Sequence, residues 1–174
     1  AAVEHPLNRW YRTPNMERLA KLGVRLSEFY AMSVCSPSRI SLMSGQNSTR
    51  HRTTTWINPD SNNRGPSGPP AWNWQGLDAS SVTLARMMQQ AGYRTIHVGK
   101  GHFGPRDSIG SDPRNLGFDI NVGGSSIGQP GSYYGTKSFG AEAPKPTHAV
   151  PGLDAYHGQG IFLTDALTRE AIKL

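Results

Sequence analysis

Apolar residues recur at helical spacing in four stretches of the chain and alternate with polar ones in two more. Thr13-Pro14 opens the first helix, with Thr as N-cap and Pro at the first helical position; Met16, Leu19 and Ala20 supply its face and Gly23 its end. Val24 and Leu26 then alternate with Arg25 and Ser27, which predicts a strand running toward Cys35. Ser36-Pro37 restarts a helix that uses Ile40 and Met43 and stops at Gly45. Ser80 or Ser81 caps a third helix, built on Leu84, Met87, Met88 and Ala91 and ended by Gly92. A second strand is predicted over residues 93–98, and residues 99–104 form a Gly-rich turn. After a Thr164 cap, Leu163, Ala166, Leu167, Ala171 and Leu174 keep helical period up to the last residue, so the natural chain is expected to be longer. Helix, strand and loop follow one another twice, which predicts an α/β fold.

Between these elements the pattern lapses. Residues 46–80 carry Asn58-Pro59-Asp60, Asn62-Asn63 and the run Gly65-Pro66-Ser67-Gly68-Pro69-Pro70, with Trp56, Trp72 and Trp74 interspersed. This reads as a long loop-rich insertion, and long loops in compact domains are often functional. Residues 105–160 are again rich in loop, with Gly123-Gly124 as a turn signal. The expected organisation is one partial domain over 1–174, with no internal repeat.

Composition narrows the partners. The 174 residues carry a formal charge of +6, and thirteen of the eighteen basic residues are Arg. Arg suits planar, bidentate recognition of oxyanions, although a solvated basic surface has the same composition. The basic residues are scattered rather than gathered in a stripe with aromatics, which argues against a nucleic-acid partner. No apolar run approaches the ~20 residues that span a bilayer, and no signal peptide is visible. The one cysteine has no partner for an internal disulfide, and no Cys/His spacing suggests zinc.

That cysteine lies in Cys35-Ser36-Pro37-Ser38-Arg39, at or just before a helix N-terminus. Backbone N–H groups and the helix dipole make such an end a place for anions, and Arg39 can turn back toward the same anion. A thiolate would be stabilised there too. A thiolate phosphatase, however, usually has five residues between Cys and Arg; here there are three, and Pro37 lacks an N–H.

The stretch Ser33-Val34-Cys35-Ser36-Pro37-Ser38-Arg39-Ile40-Ser41-Leu42-Met43-Ser44-Gly45 closely resembles the type I, formylglycine-dependent sulfatases of the alkaline-phosphatase-like superfamily. A second stretch, Gly92 to Gly104 with Lys100-Gly101-His102, resembles the family's other signature. Thr13-Pro14-Asn15-Met16-Glu17-Arg18-Leu19, Leu116-Gly117-Phe118-Asp119 and Phe162 to Thr168 extend the likeness over nearly the whole chain. Ser44 departs where Thr is more usual, and Gly101 where Trp is. The fold implied is part of a sandwich whose mixed, mostly parallel sheet is flanked by helices.

The resemblance implies that a maturation enzyme oxidises Cys35 to formylglycine. Its hydrate would attack the sulfur of a sulfate ester, the expected substrate being a sulfated small molecule or carbohydrate. Arg39 would hold the hydrate, Lys100 a sulfate oxygen, and His102 would position or deprotonate the hydrate. A Ca²⁺ ion is implied, with the modified Cys35 as one ligand; the family's Asp pair and Asp-Asn pair match no position here and are expected outside this chain. The segment alone is therefore expected to bind calcium poorly and to turn over little, and the complete protein to be periplasmic, secreted or lysosomal. Two rival readings stand beside this one: a phosphate ester hydrolase of the same superfamily, and an inactive binding or structural segment that self-associates through exposed edges. His51, flanked by Arg50 and Arg52, reads as a basic surface cluster, with contact to substrate as the alternative, and His148 and His157 read as loop residues. Tyr133-Tyr134 and the three Trp are candidates for lining a pocket or anchoring loops.

Overall fold

A computed structural model describes residues 5–63, 68, 71–144 and 147–174. The chain divides into two compact units, Ala1–Ala31 and Met32–Leu174. In the first unit a short 3₁₀ turn, Pro6–Asn8, precedes helix α1, Pro14–Leu22. Pro14 starts α1 as expected, but the Thr13 hydroxyl donates to Glu17 Oε1 at 3.3 Å instead of capping the helix. Gly23 ends α1 by donating its N–H to the Leu19 carbonyl. The strand expected over Val24–Ser27 does not form: the segment is irregular and Val24 and Leu26 are exposed. A strand needs a neighbour to take its backbone hydrogen bonds, and none is offered among the described residues.

The second unit holds α2 (Cys35–Ser44), α3 (Ser48–His51), α4 (Leu84–Gln90), β1 (Ile96–Val98), β2 (Ile120–Val122) and α5 (Leu163–Lys173). Helix α2 ends at Gly45, whose φ of 65° is the left-handed conformation that a residue without a β-carbon takes freely. Helix α4 is capped by Thr83, not by Ser80 or Ser81. Thr83 Oγ1 accepts from Arg86 N–H at 3.1 Å and donates to the Leu116 carbonyl, while both serines turn back onto Asp78. Phe162, not Thr164, precedes α5.

Strands β1 and β2 pair in parallel, with Ile96, His97 and Val98 opposite Ile120, Asn121 and Val122. The predicted strand over 93–98 is thus shorter, and its partner β2 falls in a stretch read as loop. The described structure is α/β with a small parallel sheet, consistent with the expected fold class.

Two apolar clusters flank this pair. Ile40 and Met43 of α2 and Ala85 of α4 pack with Ile57, Leu77, Phe103 and Leu116. Val122 of β2 and Leu163 and Ala166 of α5 pack with Phe139, Val150, Leu153, Tyr156 and others. Ile57 and Leu77 bind residues 46–80 into the first cluster, so this loop-rich stretch is built into the core. Its Gly65–Pro70 run lies outside the described residues except for Gly68.

Candidate active site

The sheet delivers one half of the site. Beyond β1 the pairing continues irregularly: Gly99 N–H donates to the Val122 carbonyl at 2.8 Å and His102 N–H to the Ser125 carbonyl at 2.7 Å. Lys100 and His102 therefore sit on a turn just past the carboxyl end of a parallel strand, where α/β folds place their ligands. Gly101 stands in a tight place there, because a β-carbon would lie 3.0 Å from the Ser125 carbonyl oxygen.

Helix α2 delivers the other half. Cys35 is its first residue, half-buried, and no side chain caps this end. The Ser38 hydroxyl fixes the entering chain by contacting the Met32 and Val34 carbonyls at 3.1 and 2.8 Å. One turn on, Arg39 bridges the halves. Its Nε donates to the Gly101 carbonyl at 2.7 Å and its Nη2 to the Lys100 carbonyl. The guanidinium also stands 5.7 Å from the centre of the Phe103 ring. Burial lowers the Arg39 pKa, and negative charge at Cys35 opposes that shift. The guanidinium is thus close enough for an anion at position 35 to feel it.

His102 is fully buried. Its Nε2 lies 2.7 Å from the Ile57 carbonyl, an acceptor, so Nε2 carries the proton and Nδ1 the lone pair. Ser36 Oγ accepts from Ile57 N–H at 2.9 Å and stands 3.4 Å from Nδ1. Burial is the largest cause pushing the His102 pKa down to about 4; the Lys100 and Arg39 charges add to it and the Ile57 carbonyl opposes it.

Cys35 and His102 line one open cleft of about 480 Å³ together with Trp56, Asn58, Asp60 and His148. Gly128 and Gln129 complete its wall and also line an adjoining hollow of about 50 Å³ that receives Lys100. The structure therefore sets the turn of Lys100 and His102 against the helix of Cys35 and Arg39, with Cys35 and His102 on one cleft and Lys100 on the adjoining hollow.

Other sequence candidates separate. His51 is no surface residue in role: Nδ1 accepts from Thr53 N–H at 3.1 Å and Nε2 meets Ser41 Oγ at 2.9 Å, joining α3 to α2. Trp74 packs on the core, whereas Trp56 faces the cleft. Tyr133 and Tyr134 pack around Phe162, and His157 packs near Phe139. His148, read from sequence as a loop residue, lines the cleft. Ser36, Gln129 and the Ile57 carbonyl were not singled out by sequence. Their roles come from tertiary placement, and only the position of Ser36 beside Cys35 could have drawn attention.

Residues 4–167 match the family model described as Sulfatase. The chain is 35% identical over 130 residues to arylsulfatase H of Canis lupus familiaris, covering 67% of this chain and 21% of that protein. It is 36% identical over 125 residues to arylsulfatase D of Homo sapiens, covering 67% of this chain and 19% of that protein. The chain thus spans about a fifth of these relatives' length. Among solved structures, the crystal structure of Ps i-CgsB superposes with a TM-score of 0.66 at 24% identity, covering 92% of this chain and 35% of that one. The same protein in complex with k-i-k-neocarrahexaose superposes with a TM-score of 0.59 at 24% identity, with the same coverage.

Proposed function

Because the chain belongs to the sulfatase family, we propose that the complete protein hydrolyses sulfate esters and that Cys35, Arg39, Lys100 and His102 are this segment's share of the active site. The observation that carries the reading is the Arg39 fork. It ties the helix bearing Cys35 to the turn bearing Lys100 and His102, so the two motifs act as one site.

Position 35 fits the proposed modification. Its side chain is half-buried at a helix N-terminus and opens on a cleft with room for a tetrahedral group. A formylglycine there would supply a hydrated aldehyde as nucleophile. The first turn of α2 and the Arg39 charge favour the anionic form of whatever group stands at 35. Lys100 places a cation beside the sulfate oxygens, where charge grows during cleavage. His102 is neutral above about pH 4, and its Nδ1 can accept a proton one residue away from the nucleophile. Among the described residues no three His, Cys, Asp or Glu side chains stand so that together they could hold a metal ion. The hard-oxygen ligand set that Ca²⁺ prefers is therefore not gathered among the described residues, and in the complete protein its carboxylates would come from outside this segment.

The alcohol side of the substrate is proposed to be a carbohydrate. Trp56 offers an aromatic face, and Asn58, Asp60, Gln129 and His148 offer groups for hydroxyls, on the same cleft as Cys35. The oligosaccharide held by a structural neighbour supports this class.

The test uses the complete protein co-expressed with a formylglycine-generating maturation enzyme. Mass analysis of the Cys35 peptide is expected to find an aldehyde in place of the thiol. Turnover of 4-nitrophenyl sulfate is expected to exceed that of 4-nitrophenyl phosphate, and Cys35→Ala to lower it by about 1000-fold or more. An unmodified thiol in a protein that prefers the phosphate ester would replace the sulfatase reading with the phosphate one.

A further inference from the structure

Arg106 does not line the cleft, yet it holds two of the segments that do. Its N–H donates to the Pro59 carbonyl at 2.8 Å and its Nε to Asp60 Oδ1 at 2.7 Å. Its Nη2 donates to the Thr147 carbonyl at 2.8 Å. One residue thus fastens the Asn58–Asp60 stretch to the Thr147–His148 stretch, which lies more than eighty residues later in the chain.

Both fastened stretches are ordered locally. Asn58 Oδ1 accepts from Asp60 N–H at 3.0 Å, and Thr147 Oγ1 meets His148 Nδ1 at 3.0 Å. Arg106 itself leaves a crowded turn, where a β-carbon on Gly104 would stand 2.6 Å from Ser108 Oγ. The ion pair is solvent-exposed, with side-chain exposures of 37% and 49%. Exposed pairs of this kind contribute little to stability. What the pair can do is fix where Asn58, Asp60 and His148 stand.

Those three side chains share the cleft with Cys35 and His102 but not the cationic chemistry that suits a sulfate. An amide, a carboxylate and an imidazole suit hydroxyl groups of the departing alcohol. Resting on the reading of the site given above, we propose that Arg106 is a positioning residue for substrate selection: it clamps the wall that recognises the sugar, while the sulfate-cleaving groups stand apart from it.

The experiment compares the matured complete enzyme with its Arg106→Ala and Arg106→Lys variants on 4-nitrophenyl sulfate and on a panel of monosulfated disaccharides. For the disaccharide that the wild type cleaves best, Arg106→Ala is expected to raise KM about tenfold with kcat within about twofold, as loss of positioning does. On the aryl sulfate, kcat/KM is expected to stay within about twofold. Arg106→Lys keeps one cation near Asp60 and is expected to recover part of the KM, and thermal midpoints are expected to stay close to the wild type's. Equal losses on both substrates, or no change on either, overturn the clamp while leaving the sulfatase reading intact. A wild type that cleaves the aryl sulfate but no disaccharide overturns the sugar-facing wall. A wild type that cleaves neither overturns the site reading and the clamp together.

Discussion

His102 carries its imidazole on a backbone at φ 62°, a left-handed conformation that a residue with a β-carbon adopts only when its surroundings hold it there. Here the holding groups are the Ser125 carbonyl on its N–H and the Ile57 carbonyl on Nε2. Gly128 leaves room for the ring, since a β-carbon there would lie 2.9 Å from His102 Cε1. The buried, neutral ring makes stability depend on pH in a definite direction. With the folded pKa depressed to about 4 from an ordinary 6.5, the unfolded chain binds the extra proton first as pH falls. His102's stabilising contribution is therefore fully present above pH 6.5 and is lost as pH falls toward about 4, by up to about 3 kcal/mol. Urea unfolding of the complete protein between pH 7 and pH 4 should show this loss. His102→Asn should be less stable at pH 7 but flatter across that range, and an equal slope in both proteins would show that His102 titrates normally. At this scale the sequence was legible where chemistry is local. Cys35, Arg39, Lys100 and His102 stand in two short motifs that the fold brings together. The Ile57 carbonyl that fixes the His102 proton was not legible, because any residue supplies a carbonyl and only folding chooses which one arrives.

The β1 turn shows the same division at the scale of an element. Val98 packs against one apolar cluster and Phe103 belongs to the other, so the four residues between them are pinned at both ends by separate cores. Helical period and end signals gave α1 and α2 within a residue or so and the start of α5 within two, because amphipathic helices write their own pattern. Strand β2 escaped because three residues cannot display alternation, and its existence depends on β1 lying alongside. The strand expected at Val24–Ser27 alternates well but finds no partner among the described residues. Gly124, read as a turn residue, is also a packing residue. A β-carbon there would meet Asn121 Oδ1 at 2.4 Å and His97 Nδ1 at 2.6 Å, the pair that locks the two strands' side chains together. Gly101 offers the sharper test, since the sulfatase family more often has a large residue there. Its β-carbon would stand 3.0 and 3.1 Å from the Ser125 carbonyl oxygen and nitrogen, so the Ser125 backbone would have to shift by a few tenths of an ångström. Gly101→Ala is expected to cost about 1–2 kcal/mol and, by moving Lys100 and His102, to lower kcat for 4-nitrophenyl sulfate about tenfold. Unchanged stability and turnover would mean that the turn is slack.

Across the whole molecule the apolar surface is unevenly covered. The second unit buries two clusters, but in the first unit no described residue is buried. Trp10, Met16, Leu19, Leu22, Val24, Phe29 and Tyr30 are each at least 66% exposed there. Single exposed apolar residues are ordinary; this many on one short stretch exceeds what a soluble monomer usually leaves in water. The relatives are about five times longer than the part of them this chain matches, so in them much more chain is at hand to cover such a surface. The carboxylates that a Ca²⁺ site needs are likewise not gathered among the described residues. Both observations bear on residues 1–174 expressed alone. That segment is expected to bind a hydrophobic dye such as ANS, to elute from size-exclusion columns as concentration-dependent oligomers, and to turn over 4-nitrophenyl sulfate more than 100-fold more slowly than the complete matured protein, even with added Ca²⁺. Replacing Leu19, Leu22 and Phe29 together by Ser separates the causes: it should reduce dye binding and oligomerisation of the segment without restoring activity. A monodisperse, dye-silent segment with robust turnover would show that the exposed stretch folds back on its own and that half a site suffices.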